Sequence, residues 1–173
     1  MTTTKESGWT LIGVIITIAI IGILSAIALP RFANQSSNAK IATLQGIASA
    51  IKTTAAVMKS KALLAGLTPS TTPSAGSESL YIVETEAGLS EVDYRNLCPE
   101  SRAELGDKLT IIDLIGLEHS NTLDIKINNR FTQIGYDIRG NGNSPPSGTQ
   151  GCFVSYDSFA SPDCTIVLVI ADC

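Results

Sequence analysis

The sequence predicts an α+β chain in which a long N-terminal helix packs on a small antiparallel sheet head. Three observations predict it. From Trp9 to Leu29 run 21 residues without a charged side chain or a histidine. Residues 31–65 then place apolar side chains every three or four positions, the spacing of one buried helix face. From about residue 122 onward the pattern changes to alternation in short paired runs, the period of antiparallel strands.

The chain has 173 residues, which suits one folded domain with an extension. It reads as four parts: a polar leader (1–8), an apolar helix (9–30), an amphipathic second half of the same helix (31–65) and a globular head (66–173). The apolar run is long enough to cross a bilayer core, which takes ~20 residues. Ala26-Ile27-Ala28 imitates a signal-peptidase site, but the run is about twice a typical signal h-region. Lys5 is offset by Glu6, and Arg31 and Lys40 follow the run, so flanking charge does not orient it. Gly13 and Gly22 lie inside it; small residues allow close helix approach. Pro30 removes one backbone hydrogen bond and should kink or loosen the helix just before it.

In the second half, Ile41, Leu44, Ile47, Ile51, Ala55, Met58 and Ala62 form the apolar face, with Lys40, Gln45, Lys52 and Lys59 between them. Gly66, with Pro69 soon after, marks the stop. A helix from Thr10 to Ala65 would be ~84 Å long. A head of about a hundred residues cannot cover that length, so roughly the first half must be covered by lipid or by neighbouring subunits.

Residues 68–79 are a Ser/Thr/Pro loop. Leu80–Val83 reads as a short strand. Ser90–Asn96 and Ser101–Leu105 read as helical turns, with Ser90 and Asp93 in capping spacing. Asp107–Leu117 suits either a short helix or a strand. Residues 122–139 read as a hairpin turned at Asn128-Asn129, a pair that tolerates positive φ. A loop at 140–151 precedes a second hairpin, Cys152–Phe159 and Cys164–Ala171, whose Ala160-Ser161-Pro162-Asp163 connection suits a type I turn.

Charge is segregated. Between Trp9 and Ser77 there are five basic residues and no acidic one; from Glu78 onward there are fifteen acids and six bases. Copies could therefore meet basic front to acidic back. The four cysteines, Cys98, Cys152, Cys164 and Cys173, all lie in the back half. They lack the close pairs of a metal site and read as disulfides of an oxidising compartment. If Phe159 lies opposite Cys164, Cys152 comes near Cys173. That favours Cys152–Cys173 with Cys98–Cys164, among three available pairings.

The sequence points away from catalysis. The one histidine, His119, sits beside Glu118 and Ser120 and reads as a surface or capping residue. No nucleophile elbow, phosphate loop, zinc-protease or dinucleotide motif occurs. Asp137-x-x-Gly-Asn-Gly-Asn loosely resembles a calcium loop but lacks the later bidentate acid. The lysines of the long helix could touch nucleic acid, but packing accounts for them better. No enzyme activity, cofactor or metal is expected.

Gly8-Trp9-Thr10-Leu11-Ile12, followed by Ile18-Ala19-Ile20-Ile21-Gly22-Ile23-Leu24-Ser25-Ala26-Ile27-Ala28-Leu29-Pro30, resembles the class III prepilin start of type IV pilins and type II secretion pseudopilins. Pro30-Arg31-Phe32, Ala39-x-x-Ala42-Thr43-Leu44-Gln45-Gly46-Ile47, Ser60-Lys61-Ala62 and a Cys-Phe-Val-Ser-Tyr strand near a C-terminal cysteine look like the mannose-sensitive haemagglutinin subgroup. The resemblance implies cleavage after Gly8 by a prepilin peptidase and N-methylation of Trp9. It also implies that Gly22 and Pro30 bracket a helix segment able to melt in a filament. The implied partners are further copies of the chain in a homopolymer, the prepilin peptidase and pilus assembly machinery, and the inner membrane before export to an extracellular pilus. Surface or host ligands and DNA stay open. The chain departs from the family at Gly13, where pilins carry a glutamate that pairs with the next subunit's terminal amine. A minor pilin or a type II secretion pseudopilin is therefore the alternative to a main structural subunit.

Overall fold

The structure, a computed structural model, describes residues 9–72, 80–117, 121–139 and 150–173. The chain divides into two compact units at Ala39/Lys40. Helix α1 (Trp9–Leu64) is 56 residues long and stays helical through Pro30. It is followed by β1 (Ile82–Thr85), β2 (Gly88–Glu91), the short helix α2 (Ile111–Leu114), β3 (Asp124–Ile127), β4 (Phe131–Asp137), β5 (Cys152–Asp157) and β6 (Thr165–Val169).

The second unit is built as a helix on a sheet. Along α1, Leu44, Ile47, Ile51, Ala55, Met58 and Ala62 are buried, the same face that the three-four spacing marks out. Leu44, Ile47 and Ile51 pack with Ile111 and Ile112 of α2 and with Ile134, Cys152, Val154 and Tyr156 of the sheet. Met58 and Ala62 pack instead on Val83, Val92 and Leu97. Each buried Leu, Ile, Val or Met side chain contributes about 1.5–3 kcal/mol, so a charge at Ile51 would open the centre of this layer. The helix ends in a Schellman motif: Gly66 has φ +83°, the Leu67 amide donates to the Ala62 carbonyl, and Leu67 folds back onto the Met58 cluster.

The main sheet runs β3-β4-β5-β6, every pair antiparallel. Its face away from the Leu44 cluster carries a smaller group, Ile138, Phe153 and Val169. A β-bulge interrupts β4 against β5 between Gly135 and Asp137. Gly135 is required there: a Cβ would lie 2.3 Å from the Cys152 carbonyl oxygen and 2.4 Å from Phe153 Cβ.

Several local expectations are corrected. Ser90 lies in a strand, not a helical turn: β2 pairs with β1 in a separate two-stranded sheet, with Val83 opposite Ser90. The Ser90 hydroxyl donates to the Leu109 carbonyl at 2.9 Å and so has its partner outside its own segment. Residues 101–105 form bends and turns without a helix, and the ambiguous 107–117 stretch contains one helical turn, α2. The β3–β4 connection does not use positive φ at Asn128 or Asn129. Instead, Asn128 Oδ1 accepts hydrogen bonds from the amides of Arg130 and Phe131, an Asx-type cap. The Ser161–Pro162 peptide is cis. Asp157 faces Thr165 and Phe153 faces Val169, one residue out of the register inferred from the turn.

Candidate functional site: an exposed apolar helix and a cross-linked head

The first feature is the start of α1. Leu11–Ala28 is an 18-residue window of mean hydropathy 2.8, and none of it is buried within the chain. By length and composition it can cross a membrane. Leu11, Ile12, Val14, Ile15, Ile16, Ile18, Ile20, Ile21, Ile23, Leu24 and Ile27 are all more than half exposed. Such a continuous apolar surface is not stable in water and marks a lipid or protein contact. The Thr17 hydroxyl donates to the Gly13 carbonyl, so this polar group is satisfied within the helix and imposes no cost on an apolar partner. A Cβ at Gly13, Gly22 or Gly46 would meet nothing within 4 Å, so nothing among the described residues requires glycine there. Trp9 opens the helix; Gly8 lies outside the described residues.

The second feature is the cross-linked head. Cys98 is joined to Cys164 and Cys152 to Cys173, with S–S distances of 2.11 and 2.07 Å. Around Cys98 the chain forms a tight knot that sequence reasoning missed. Asn96 is fully buried. Its side-chain amide donates to the Ser158 and Ala160 carbonyls, both at 2.7 Å, and its Oδ1 accepts from the Cys98 amide at 2.7 Å. Leu97 takes φ 62°, a left-handed conformation held by the bonds on either side. The Arg95 guanidinium lies between the rings of Tyr94 and Phe159, at 4.3 and 4.4 Å, and pairs with Asp93. The buried Tyr156 hydroxyl donates to the Pro99 carbonyl at 2.7 Å. The only sequence signal for this knot is the Asn96-x-Cys98 spacing, which lets an Asn side chain cap the amide two residues on.

At the other end, Cys173 closes against the start of β5. The Gly151 amide donates to Asp172 Oδ2 at 2.7 Å and the Asp172 amide to the Gly151 carbonyl at 3.0 Å. Arg139 bridges Asp137 and Asp172.

The head also buries acid. Glu91, Asp93 and Glu100 are each at most 4% exposed. Glu91 Oε2 accepts from the Glu104 amide at 2.8 Å and the Leu105 amide at 3.3 Å. Burial, reinforced by Asp93, Glu104 and Glu91, pushes the Glu100 carboxyl up to about 9. Burial also raises Asp93, against the lowering effect of Arg95. The Tyr156 phenol is pushed well above its ordinary value by burial and by nearby acids, Glu100 and Asp93 foremost.

Three open cavities line the described surface. One of about 560 Å³ is bordered by Arg102, Glu104, Lys108, Thr110, Asp113 and Asn129. One of about 380 Å³ lies between α1 and the β1–β2 turn, and one of about 290 Å³ lies beside the Cys98–Cys164 bridge. None of them is lined by a nucleophile with a histidine base. Among the described residues no group of three or more His, Cys, Asp and Glu could hold a metal ion. His119 and the glycine-rich part of the calcium-like loop lie outside the described residues; Asp137, its first acid, pairs with Arg139.

The chain is similar to fimbrial proteins. Two fimbrial proteins of Pseudomonas aeruginosa are each 36% identical to it over 69 residues, which is 39% of this chain and 45% of theirs. The chain thus spans less than half the length of the curated relatives it matches. No family profile and no solved structure matches it. The fold is the one that the prepilin resemblance implies: a long N-terminal helix, then antiparallel sheet against its second half, in an α+β arrangement consistent with type IV pilins.

Proposed function

We propose that the chain is a structural subunit of a type IV pilus. It is anchored in the inner membrane by residues 9–30 as a precursor, then polymerised through α1 into an extracellular filament that serves adhesion, motility or related surface functions. The observation that carries this reading is the unburied apolar window Leu11–Ala28 at the start of the helix that packs in the core of the disulfide-bonded head. Such a helix needs an apolar partner, and identical helices in a bundle provide one once lipid is left behind. The partial similarity to fimbrial proteins supports the same reading.

In this account residues 1–8 are a leader removed by a prepilin peptidase after Gly8, and Trp9 becomes the N-methylated first residue. Residues 31–65 present their buried face to the head of residues 66–173 and their other face to neighbouring copies. The protein acts structurally and needs no cofactor. Gly13 gives the second reading its support. Without a carboxylate there, no charge pair sets the register between copies, as suits a minor pilin or a type II secretion pseudopilin. The test is deletion of residues 9–29. The shortened chain should be secreted as a soluble, disulfide-bonded head that never enters filaments; filaments containing it would overturn the proposal.

A further inference from the structure

The main sheet has two edges, β3 and β6. Strand β3 carries Asp124 and Lys126, charges of the kind that keep an edge from pairing with another chain. Strand β6 and its continuation differ: from Thr165 to Ile170 there is no charge, proline or glycine. The register shows which backbone groups of β6 are open. The Ser158 amide donates to the Arg130 carbonyl across β5 and β4. By strand alternation, Asp157, Ser155 and Phe153 then turn their amides and carbonyls toward β6. Their partners Thr165, Val167 and Val169 use theirs on β5, so those of Ile166 and Leu168 point away from the sheet. The Cys164 amide, on the same outer side, donates to Cys98 Sγ at 3.3 Å, so the Cys98 turn covers the start of the edge. Beyond it, the amides and carbonyls of Ile166 and Leu168 have no partner among the described residues.

A groove lies between this edge and α1. Lys52, Ala56 and Lys59 line it from the helix, and Asp163 and Ile166 line it from β6 and the turn before it, around a cavity of about 290 Å³. Lys59 is paired with Asp163. Lys52 is exposed and has no ion-pair partner among the described residues. The groove therefore carries one uncompensated positive charge beside a row of open backbone groups.

We propose that the β6 edge and this groove form a docking site for an extended acidic peptide segment of another protein, which adds to β6 as a further strand and sets a carboxylate against Lys52. Open amides and carbonyls at strand spacing are satisfied together by an extended backbone, which gives affinity, while alternate side chains give specificity. On the α1 side the small Ala56 leaves room and Lys52 selects an acid; on the other face the exposed Val167 offers an apolar contact. A second copy of this chain is the poorer occupant, since β6 laid on β6 would bring a second Lys52 to the same edge. The site belongs to the head whether or not the chain enters filaments.

The test uses the full-length chain in detergent micelles, with amide hydrogen exchange read by NMR and the end-blocked peptide Thr-Val-Glu-Val-Thr-Val as the probe. In the free chain the Ile166 and Leu168 amides should exchange fast, while those of Thr165, Val167 and Val169 are protected by β5. With the peptide at about ten times its Kd, the two open amides should slow about tenfold. A probe with lysine in place of its glutamate should lose most of that effect, and Lys52→Glu should reverse the preference between the two probes. Unchanged exchange at both amides up to millimolar peptide, or equal slowing by the two probes, would overturn the proposal. Slowing that grows with protein concentration in the absence of peptide would overturn it too, because it would assign the edge to a second copy.

Discussion

Removing the Cys98–Cys164 bridge should be the most damaging single covalent change to the head. The two cysteines are 66 residues apart in sequence, against 21 for Cys152 and Cys173. On the chain-entropy account these separations are worth about 4 and about 3 kcal/mol respectively. The native structure widens the gap. Cys152 opens strand β5, which is paired to β6 from Phe153–Val169 to Asp157–Thr165, so its neighbourhood is held by a ladder. Cys98 sits in a turn without a strand of its own, fixed by Asn96, the Arg95 stack and the Tyr156–Pro99 bond. The assay is urea unfolding of residues 40–173, which form one compact unit. The comparison is Cys98→Ala with Cys164→Ala against Cys152→Ala with Cys173→Ala. With a slope of about 2 kcal/mol per molar, the first pair should lower the midpoint by about 2 M and the second by about 1.5 M. A loss below about 1 kcal/mol for the first pair, or a larger loss for the second, would refute the reasoning and show that the turn holds itself together without its cross-link.

Gly135→Ala should cost about 1–3 kcal/mol or more, because its Cβ would overlap the Cys152 carbonyl; calorimetry of the head checks this. Asn96→Ala removes the partner of the Cys98 amide, of the buried Ser158 carbonyl and of the part-buried Ala160 carbonyl and should cost about 3 kcal/mol, read by the same denaturant curves. Arg130→Gln removes a two-point contact to Asp157. The Arg130 side chain is 48% exposed, so a loss of no more than about 1 kcal/mol is expected. Gly46→Ala should stabilise α1 by about 0.5–1 kcal/mol, since its Cβ meets nothing within the chain. If that face packs against another copy, the same substitution should reduce filament yield without harming the head, and an unchanged yield would remove Gly46 from the contact.

The large elements were legible because their signals are local and periodic. Leu44 to Ala62 repeat at helical spacing, Gly66 marks the stop, and Leu123 to Ile127 alternate. The β1–β2 sheet was hidden because the Ser90–Asp93 spacing reads as the start of a helical turn. Its buried Ser90 and Glu91 are satisfied by Leu109, Glu104 and Leu105, partners that no local pattern reveals. The acidic knot was hidden for the same reason. Asp93 and Glu100 look like ordinary surface acids until the chain brings them together. The apolar start of α1 was the reverse case. Its composition alone announces it, and the fold adds that none of the window is buried among the described residues.

The central claim is that this chain is a filament subunit, and the most direct measurement is mass spectrometry of filaments sheared from cells that express it. The account predicts that the chain is present in the filaments, with an N-terminal peptide that begins at a methylated Trp9 and both disulfides intact. Filaments free of the chain, with the full sequence from Met1 retained in the membrane, would contradict it.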